Sequence, residues 1–488
     1  MKKISIDPIT RLEGHGKIDL FLNDDGSVEN AYLIIPELRG FEKFCEGKHV
    51  EELPRITAKI CGVCPEAHHL ASTKATDAVF GVTIPPAAKK LRELFYCAHI
   101  IHSHIAHFYA LAAPDFIVGS DAPFAERNIL GVIARVGVNI GKEVIRHRAM
   151  AQDIQSMIGG RATYPVCGLP GGCSKAINET ERASIEEKAT SCIDFAAFSL
   201  KLFQDAILND PKYADTVRAK DLYYSETYYM GMVDGRNRVN FYDGNVRVVR
   251  PDGNENVKFA PSQYSDIFAE RVEPWSYMKF PYLKNVGWKG FVDGPDSGVV
   301  RVGPLARLNA ADGMATPRAQ EEYEKMYAFF GGKPVHHTLA FHWARLIEMM
   351  YAAERLQELS RDPEITSQDV RVIPSGVPSE GVGIVEAPRG TLIHHYRTDA
   401  NGVVTGINLV VATVFNNPAM NISVAKAARA LVKNGIVPDE LLNKVEMAFR
   451  AYDPCMSCAT HALPGSMPLI ITFKDRRGNI IQTLRRDA

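Results

Sequence analysis

Two cysteine pairs, one near each end of the chain, constrain the fold more than any other feature of the sequence. The first pair is Cys61 and Cys64, the second is Cys455 and Cys458, and two residues separate the cysteines within each pair. A turn of this spacing brings two thiolates onto one metal ion, so two such turns supply four sulfur ligands. Because 390 residues lie between Cys64 and Cys455, sharing one ion would close almost the whole chain into a loop.

The spacing alone leaves open what these cysteines do. A structural zinc ribbon usually places its pairs about 15–20 residues apart. A chain of 488 residues can bury a large hydrophobic core and does not need a small zinc module to fold. A thioredoxin-like redox site needs only one such pair, in a βαβ setting. Soft thiolates select zinc, copper(I), iron or nickel over hard cations. A metal site is therefore favoured, and both a structural and a catalytic metal fit the pattern.

The remaining composition is that of an ordinary globular protein, with 46% hydrophobic and 23% charged residues. A net charge of −1 does not favour nucleic acid or a membrane surface as partner. The N-terminus has no apolar segment typical of a secretion signal, and no stretch approaches the roughly 18–20 apolar residues of a membrane span. We therefore expect a cytoplasmic protein. The other five cysteines stand singly and are expected to be buried thiols: Cys45, Cys97, Cys167, Cys173 and Cys192.

Hydrophobic periodicity predicts a mainly α-helical fold with β decorations, of the α+β class. Alternation around the turn at residues 24–26 predicts a hairpin over residues 15–37. Apolar residues at three- and four-residue steps predict helices over residues 86–113, 179–208, 318–330, 335–360 and about 420–449. Turn signals predict an irregular β-containing insertion at 220–300, and a strand-rich stretch at 380–415. Since there is no clear linker, residues 1–461 are expected to form one integrated domain.

The residues around both cysteine pairs resemble the signatures of nickel–iron hydrogenase large subunits. Residues 60–68 read ICGVCPEAH and residues 453–461 read DPCMSCATH. Four further blocks match in the expected order: residues 10–15, 39–42, 168–172 and 386–390. The resemblance covers residues 5–461 and implies the fold of that family, a long central helix bundle with peripheral hairpins.

The resemblance implies a bimetallic centre of composition Ni–Fe(CN)2(CO). Cys61 and Cys455 would be terminal nickel ligands, and Cys64 and Cys458 would bridge nickel to iron. A cluster of thiolates needs hydrogen-bond donors around it, and His68 matches the family histidine that donates to the sulfur of Cys64. Taken alone, a histidine after a cysteine pair is more often a core residue.

Further positions match residues that line the diatomic ligands or bind a second ion. Pro388 and Thr413 would lie along the cyanides, although the family has Pro-Ser where this chain has Ala-Thr. Glu42 and His461, with the carbonyl of Leu409, would bind a separate Mg2+ or Fe2+ ion, since hard cations prefer oxygen ligands and water.

The catalytic residues implied by the resemblance surround the open coordination position. Arg389 would place its guanidinium there, with Asp115 and Asp453 as the carboxylates that a buried arginine needs. Glu13 would accept a proton from a terminal cysteine, Cys455. Taken alone, Glu13 would be interpreted as a solvated carboxylate and each aspartate as a helix cap or surface charge. Four histidines on one predicted helix are expected to be core or interface residues: His99, His102, His104 and His107.

The implied activity is reversible heterolytic cleavage of H2 to protons and electrons. Because no other cysteine grouping remains to hold a cluster, the electrons would pass to an iron–sulfur small subunit, then to further electron-transfer subunits. Residues 394–396 and 416–418 are most similar to the cytoplasmic multisubunit branch, and within it to the heterodisulfide-reductase-linked, methyl-viologen-reducing type. NAD(P) and a deazaflavin are the other acceptors considered.

Two other classes of protein share part of this pattern. The quinone-interacting subunit of respiratory complex I has the same fold but lacks the cysteines, and a hydrogen sensor shares the ligands and differs mainly in gas access.

Residues 462–488 resemble the tail that a maturation endopeptidase removes after nickel chaperones have loaded the site. A permanent C-terminal hairpin is the other interpretation, because the apolar runs flanking Arg477 and Gly478 alternate like strands.

Overall fold

Helices joined by loops and short hairpins make up the chain, which we describe from a computed structural model covering residues 2–460 and 469–486. The α-helices are α1 Phe41–Cys45, α2 Leu53–Thr57, α3 Pro65–Val79, α4 Pro86–Ala106, α5 Ile129–Val136, α6 Val138–Gly159, α7 Glu179–Phe203, α8 Pro211–Arg218, α9 Tyr264–Ile267, α10 Pro304–Ala310, α11 Pro317–Phe330, α12 Ala340–Ser360, α13 Ala412–Leu431, α14 Asp439–Arg450 and α15 Met456–Ala459. The strands are β1 Lys2–Ile6, β2 Lys17–Leu22, β3 Val28–Ile34, β4 Gly168–Leu169, β5 Gly172–Cys173, β6 Tyr228–Val233, β7 Asn245–Val249, β8 Glu255–Phe259, β9 Phe268–Val272, β10 Lys279–Leu283, β11 Val300–Arg301, β12 Glu380–Ala387, β13 Gly390–Thr398, β14 Val404–Val410, β15 Leu469–Lys474 and β16 Ile480–Arg486.

Helices α4, α6, α7 and α12 pack on one another as the central bundle. Every side chain of α12 from Ala340 to Ala353 is buried, as expected for a helix surrounded by others. Helix α7 begins at a capping box, in which Asn178 and Glu181 each accept a hydrogen bond from the other's backbone N–H. The main hydrophobic core runs through this bundle and includes the four paired cysteines.

A three-stranded antiparallel sheet of β12, β13 and β14 covers one side of α3. The two backbones approach closely because β12 carries glycines: a Cβ atom at Gly383 would lie 2.1 Å from the carbonyl oxygen of Ala71. Strands β11, β6, β7 and β8 form a second sheet, and β1, β2 and β3 form a third. Helix α3 follows directly after Cys64, so the sheet fixes the first cysteine pair in place.

Most of the predicted elements are present, and the α+β class is confirmed. The hairpin predicted over residues 15–37 is β2 and β3, to which β1 adds a third strand that the sequence had not indicated. The helix predicted over residues 86–113 is α-helical only to Ala106 and continues in π-helical turns. Strands β6 to β10 lie within residues 220–300.

The single helix predicted over about residues 420–449 is wrong. Helix α13 ends at Leu431 and α14 begins at Asp439. Asn434 and Gly435 between them both have positive φ angles, of 55° and 66°, a backbone conformation that ends a helix. Pro438 then precedes α14.

The two ends of the chain meet beside α3. The segment holding Glu13 runs parallel to the segment holding Cys455, and the backbone N–H of Met456 donates to the Glu13 carbonyl at 2.9 Å. The fold therefore closes the long loop that the cysteine spacing requires. Within the described residues, no helix is long and apolar enough to cross a membrane.

Candidate metal centre

The four paired cysteines come together in one buried cluster. Their Sγ atoms all lie within 4.8 Å of one another, and the side chains are at most 4% exposed. Sγ of Cys61 is 3.3 Å from that of Cys455, and Sγ of Cys64 is 3.3 Å from that of Cys458. Across residues 2–460 and 469–486, no second group of three or more His, Cys, Asp or Glu side chains converges in this way. Four convergent sulfur atoms form a ligand set for soft metal ions.

The local backbone directs polar hydrogens at the first pair and anchors the second. The N–H groups of Val63 and Cys64 donate to Sγ of Cys61 at 3.2 and 3.3 Å, since the chain turns there before Pro65 begins α3. In the second pair, the N–H of Cys455 donates to Oγ1 of Thr413 at 3.1 Å. Donors to a sulfur stabilise its thiolate form, so the backbone favours negative charge on Cys61.

Negative charge on all four sulfurs would need a cation. Burial raises the pKa of the Cys455 and Cys458 thiols well above the ordinary value. The neighbouring cysteines, Cys455 first, and the charge of Arg389 lower the pKa of Cys61. Thiolates this close repel one another in a dry interior, and a cation among them removes the repulsion. The donor set thus fits a cationic metal centre.

Arg389 lies over the cluster with one nitrogen unpaired. Its Nε donates to the backbone oxygen of Asp453 at 2.7 Å and its Nη2 to Oδ1 of the same residue at 3.1 Å. Although burial disfavours its charge, Asp453 and the cysteine sulfurs raise the pKa of Arg389 well above the ordinary value. Its buried Nη1 has no partner among the described residues. A buried donor without an acceptor is rare, and here it fits a group bound at the metals.

Asp453 turns the chain so that this pairing forms. Its φ is 58°, in the left-handed region that aspartate tolerates better than most residues. Asp115, the other carboxylate expected beside Arg389, instead pairs with Arg11 at 2.5 Å and Arg450 at 2.7 Å. The described ion pairs of Asp115 do not include Arg389, so Asp115 supports the segment before Glu13 rather than the guanidinium over the cluster.

Glu13 is half-buried between the sulfur cluster and the surface. Sγ of Cys455 donates to its Oε2 at 2.9 Å, and the N–H of Ser457 donates to the same oxygen at 3.1 Å. A cavity of about 640 Å³ opens beside it, and both Glu13 and Arg389 line this cavity. The carboxylate therefore links a ligand sulfur with space outside the core.

His68 also contacts the cluster. Its Nε2 is 3.4 Å from Sγ of Cys458. The sequence had led us to expect a contact with Cys64, and both cysteines are expected to be bridging ligands. The ring is fully buried on the first turn of α3. It is placed to donate a hydrogen bond to a ligand sulfur.

The residues predicted to bind a second ion or to line the diatomic ligands are placed as follows. Oε1 of Glu42 accepts from the N–H of Leu409 at 2.8 Å, and His461, expected beside them, lies outside the described residues. Pro388 precedes Arg389, and its carbonyl accepts from Nη2 of Arg307 at 3.3 Å. Thr413 contacts Cys455 as described above.

The sequence did not single out Arg307, which supports the Arg389 segment. Its Nη1 donates to the carbonyl of Ala387 at 2.7 Å and to the carboxylate of Glu386 at 2.9 Å. Its Nε and Nη2 pair with Glu348 at 2.5 and 2.6 Å, and all three charged side chains are fully buried. The available signal was one arginine inside an apolar run, residues 304–311, which is too weak to assign a role.

Four convergent, buried cysteine sulfurs beside a buried guanidinium define a candidate site for a soft metal ion inside an α+β protein. A family model for nickel-dependent hydrogenases matches residues 39–128 and 142–461, and a model described as HoxL-like matches residues 3–38. The chain belongs to the nickel-dependent hydrogenase family. It is a large, catalytic hydrogenase subunit, and the cluster of four cysteines fits the nickel site that this family requires.

Individual relatives agree with this family. The chain is 50% identical over 486 residues to the iron–sulfur subunit of the F420-non-reducing hydrogenase of Archaeoglobus profundus, covering 99% of this chain and 100% of that protein. It is 39% identical over 502 residues to the beta subunit of the NAD-reducing hydrogenase HoxS of Cupriavidus necator, covering 99% and 100%. Among solved structures, an NAD+-reducing NiFe hydrogenase in the H2-reduced state matches with a TM-score of 0.89 and 37% identity, covering 94% of this chain and 100% of that chain.

Proposed function

We propose that this hydrogenase subunit cleaves H2 heterolytically at the cysteine cluster, with Cys61 and Cys455 as terminal nickel ligands and Cys64 and Cys458 as bridges to an iron carrying one CO and two CN ligands. The observation that carries the proposal is the convergence of four buried Sγ atoms within 4.8 Å. When bound, the nickel–iron centre supplies the Lewis acidity and redox capacity for this reaction.

The surrounding residues divide the remaining tasks. Cys455 passes a proton to Oε2 of Glu13, 2.9 Å away, and Glu13 releases it toward the cavity. Arg389 offers its free Nη1 to groups at the open position, while Asp453 orients the guanidinium. His68 would donate to the sulfur of Cys458, and Pro388 and Thr413 would lie along the CO and CN ligands.

A second cation site belongs to the same proposal. Glu42, the carbonyl of Leu409 and His461 would hold Mg2+ or Fe2+, a hard ion suited to carboxylate, carbonyl and water. The contact between Glu42 and Leu409 supports this grouping, because it places the carboxylate beside the end of β14.

Electrons leave to an iron–sulfur small subunit in this proposal. The five remaining cysteines are buried, and no three of them converge, so they offer no ligand set for a cluster. The cavity at Glu13 and Arg389 is lined in part by α5 and α6. Large apolar side chains are exposed on and just before these helices, and two of them, Ile129 and Ile145, also line the cavity: Phe124, Ile129, Leu130, Val138 and Ile145. A large exposed apolar patch is typical of a protein interface, and this one lies beside the path out of the metal site.

The proposed acceptor is a heterodisulfide reductase complex, reached through further subunits. The relative at 50% identity, named for an F420-non-reducing hydrogenase, supports this choice over a deazaflavin. NAD(P) is the second candidate, since the relative at 39% identity belongs to an NAD-reducing hydrogenase.

Residues 462–488 are proposed to be removed by an endopeptidase after metal insertion. The described part of this segment pairs β15 with β16, and its apolar side chains at Phe473, Ile480, Ile481 and Leu484 are exposed. A hairpin that buries little apolar surface adds little stability. Mass spectrometry of the large subunit in the active complex is expected to show a chain ending near residue 461.

Metal content and dye reduction test the catalytic assignment together. The complex is purified without oxygen, and nickel, iron and H2-dependent reduction of methyl viologen are measured for the wild type, Cys455→Ser and Cys97→Ser. Cys97 is as buried as Cys455 but lies outside the cluster. We expect Cys455→Ser to lose nickel and activity and Cys97→Ser to keep both. Full nickel content and activity in Cys455→Ser would refute the ligand assignment.

A further inference from the structure

A chain of hydrogen-bonding side chains leads from the metal centre into the core behind it. His68 Nε2 faces Sγ of Cys458 at 3.4 Å, and His68 Nδ1 is 3.1 Å from Nε2 of His394. Nδ1 of His394 is 2.6 Å from the hydroxyl of Tyr396, which lies 2.7 Å from Oγ of Ser72. None of these side chains is more than 1% exposed. This row of hydrogen-bonded side chains is therefore shielded from water along its whole length.

Helix α3 and strand β13 hold these four side chains in position. His68 and Ser72 are four residues apart on α3, so they lie on one face of that helix. His394 and Tyr396 are two residues apart on β13, so they lie on one face of the sheet. Because Gly381 and Gly383 of β12 let the sheet approach α3 closely, the two faces meet at hydrogen-bonding distance.

These hydrogen bonds determine which ring nitrogen of His68 carries the hydrogen that is donated to the sulfur. A metal-bound thiolate only accepts hydrogen bonds, so His68 must present Nε2–H. A neutral ring then accepts at Nδ1, which requires His394 to donate from Nε2 and to accept at its own Nδ1. The donor at that last position is Tyr396, whose hydroxyl donates to Ser72 in this structure and reaches His394 by rotation about its C–O bond.

We propose that His394 and Tyr396 are positioning residues that fix the orientation and tautomer of His68, and through it the hydrogen bond to Cys458. The inference rests on the proposed function, since it needs Cys458 as a metal ligand. A weaker hydrogen bond leaves more electron density on the sulfur and on the iron that it bridges to. The stretching frequency of an iron-bound CO then falls, and the nickel electron paramagnetic resonance signal changes.

The test compares spectra of the purified complex, not only turnover. Tyr396→Phe removes the terminal hydroxyl and keeps the buried ring, whereas His394→Leu breaks the chain and His394→Gln restores an N–H near Nε2. Tyr223→Phe is the matched control, because Tyr223 is also buried and its hydroxyl donates to the backbone carbonyl of Lys444 and to Sδ of Met447, neither of which belongs to the cysteine cluster.

We expect Tyr396→Phe and His394→Leu to keep nickel, to shift the CO band to lower wavenumber and to shift the nickel g-values. His394→Gln is expected to return both signals toward the wild type, and Tyr223→Phe to leave them in place. Wild-type signals in Tyr396→Phe and His394→Leu would overturn this inference and leave the proposed function standing. A native complex without nickel would overturn the proposed function, and this inference with it.

Discussion

Sγ of Cys455 and Oε2 of Glu13 are 2.9 Å apart, and the sulfur is the donor. The contact joins a sulfur from one end of the chain to a carboxylate from the other, across a parallel bridge between the same two residues. Because Glu13 is half-buried while Cys455 is fully buried, the pair connects the metal centre with the outside of the core.

Glu13→Gln tests whether this contact carries protons. The amide keeps the size of the side chain but cannot accept and release a proton at neutral pH, so we expect H2 oxidation to fall by roughly 100-fold or more. Nickel and iron contents should stay at wild-type levels, as measured on the same samples. Glu37→Gln, which changes a partly exposed glutamate paired with His15, is expected to keep full activity; equal rates for both variants would show that protons leave by another route.

Arg307→Met tests the buried charges behind the Arg389 segment. Removing this arginine leaves Glu348 and Glu386 buried without their counter-charge, which should destabilise the fold by about 3–5 kcal/mol. Urea unfolding of the purified complex measures the loss. Arg361→Met removes an exposed arginine from its pair with Glu186 and is expected to change stability little. Equal free energies of unfolding for Arg307→Met and Arg361→Met would show that the buried ion pairs of Arg307 do not stabilise the fold.

His102 provides a test of stability against pH. Burial and the charge of Arg148 lower the pKa of His102 to about 3, so the folded ring stays neutral where the unfolded one, with an ordinary pKa of about 6.5, takes up a proton. As pH falls from about 6.5 to 4, this difference should lower the free energy of unfolding by about 1.4 kcal/mol per pH unit. His104 and His342, with pKa values lowered by burial to about 4 and about 3, act in the same direction.

Urea titrations at a series of pH values measure that slope. His102→Gln should make the slope shallower by about 1.4 kcal/mol per pH unit. An unchanged slope in His102→Gln would show that this ring takes up its proton in the folded protein as well.

The sequence predicted that the four paired cysteines come together, because two pairs with two intervening residues favour a shared metal site. The resemblance of the flanking blocks supplied the expectation for Glu13, His68 and Arg389. The structure brings these three to the cysteine cluster.

What the sequence could not supply depends on contacts between distant segments. Arg307 is a lone arginine with no spacing pattern, and only the folded chain shows it holding the carbonyls of Ala387 and Pro388. Asp115 was assigned to Arg389, but the packing of the segment before Glu13 gives it Arg11 and Arg450 instead. The break between α13 and α14 was missed because apolar residues keep helical spacing on both sides of it.

An infrared spectrum of the complex, purified without oxygen, tests whether the four cysteines hold a nickel–iron centre. We expect one band from metal-bound CO and two bands from CN, all lost in Cys64→Ser, since the proposal makes that sulfur a bridge to the iron. A blank spectrum from native complex that contains nickel and iron in full amount would contradict the assignment of this centre.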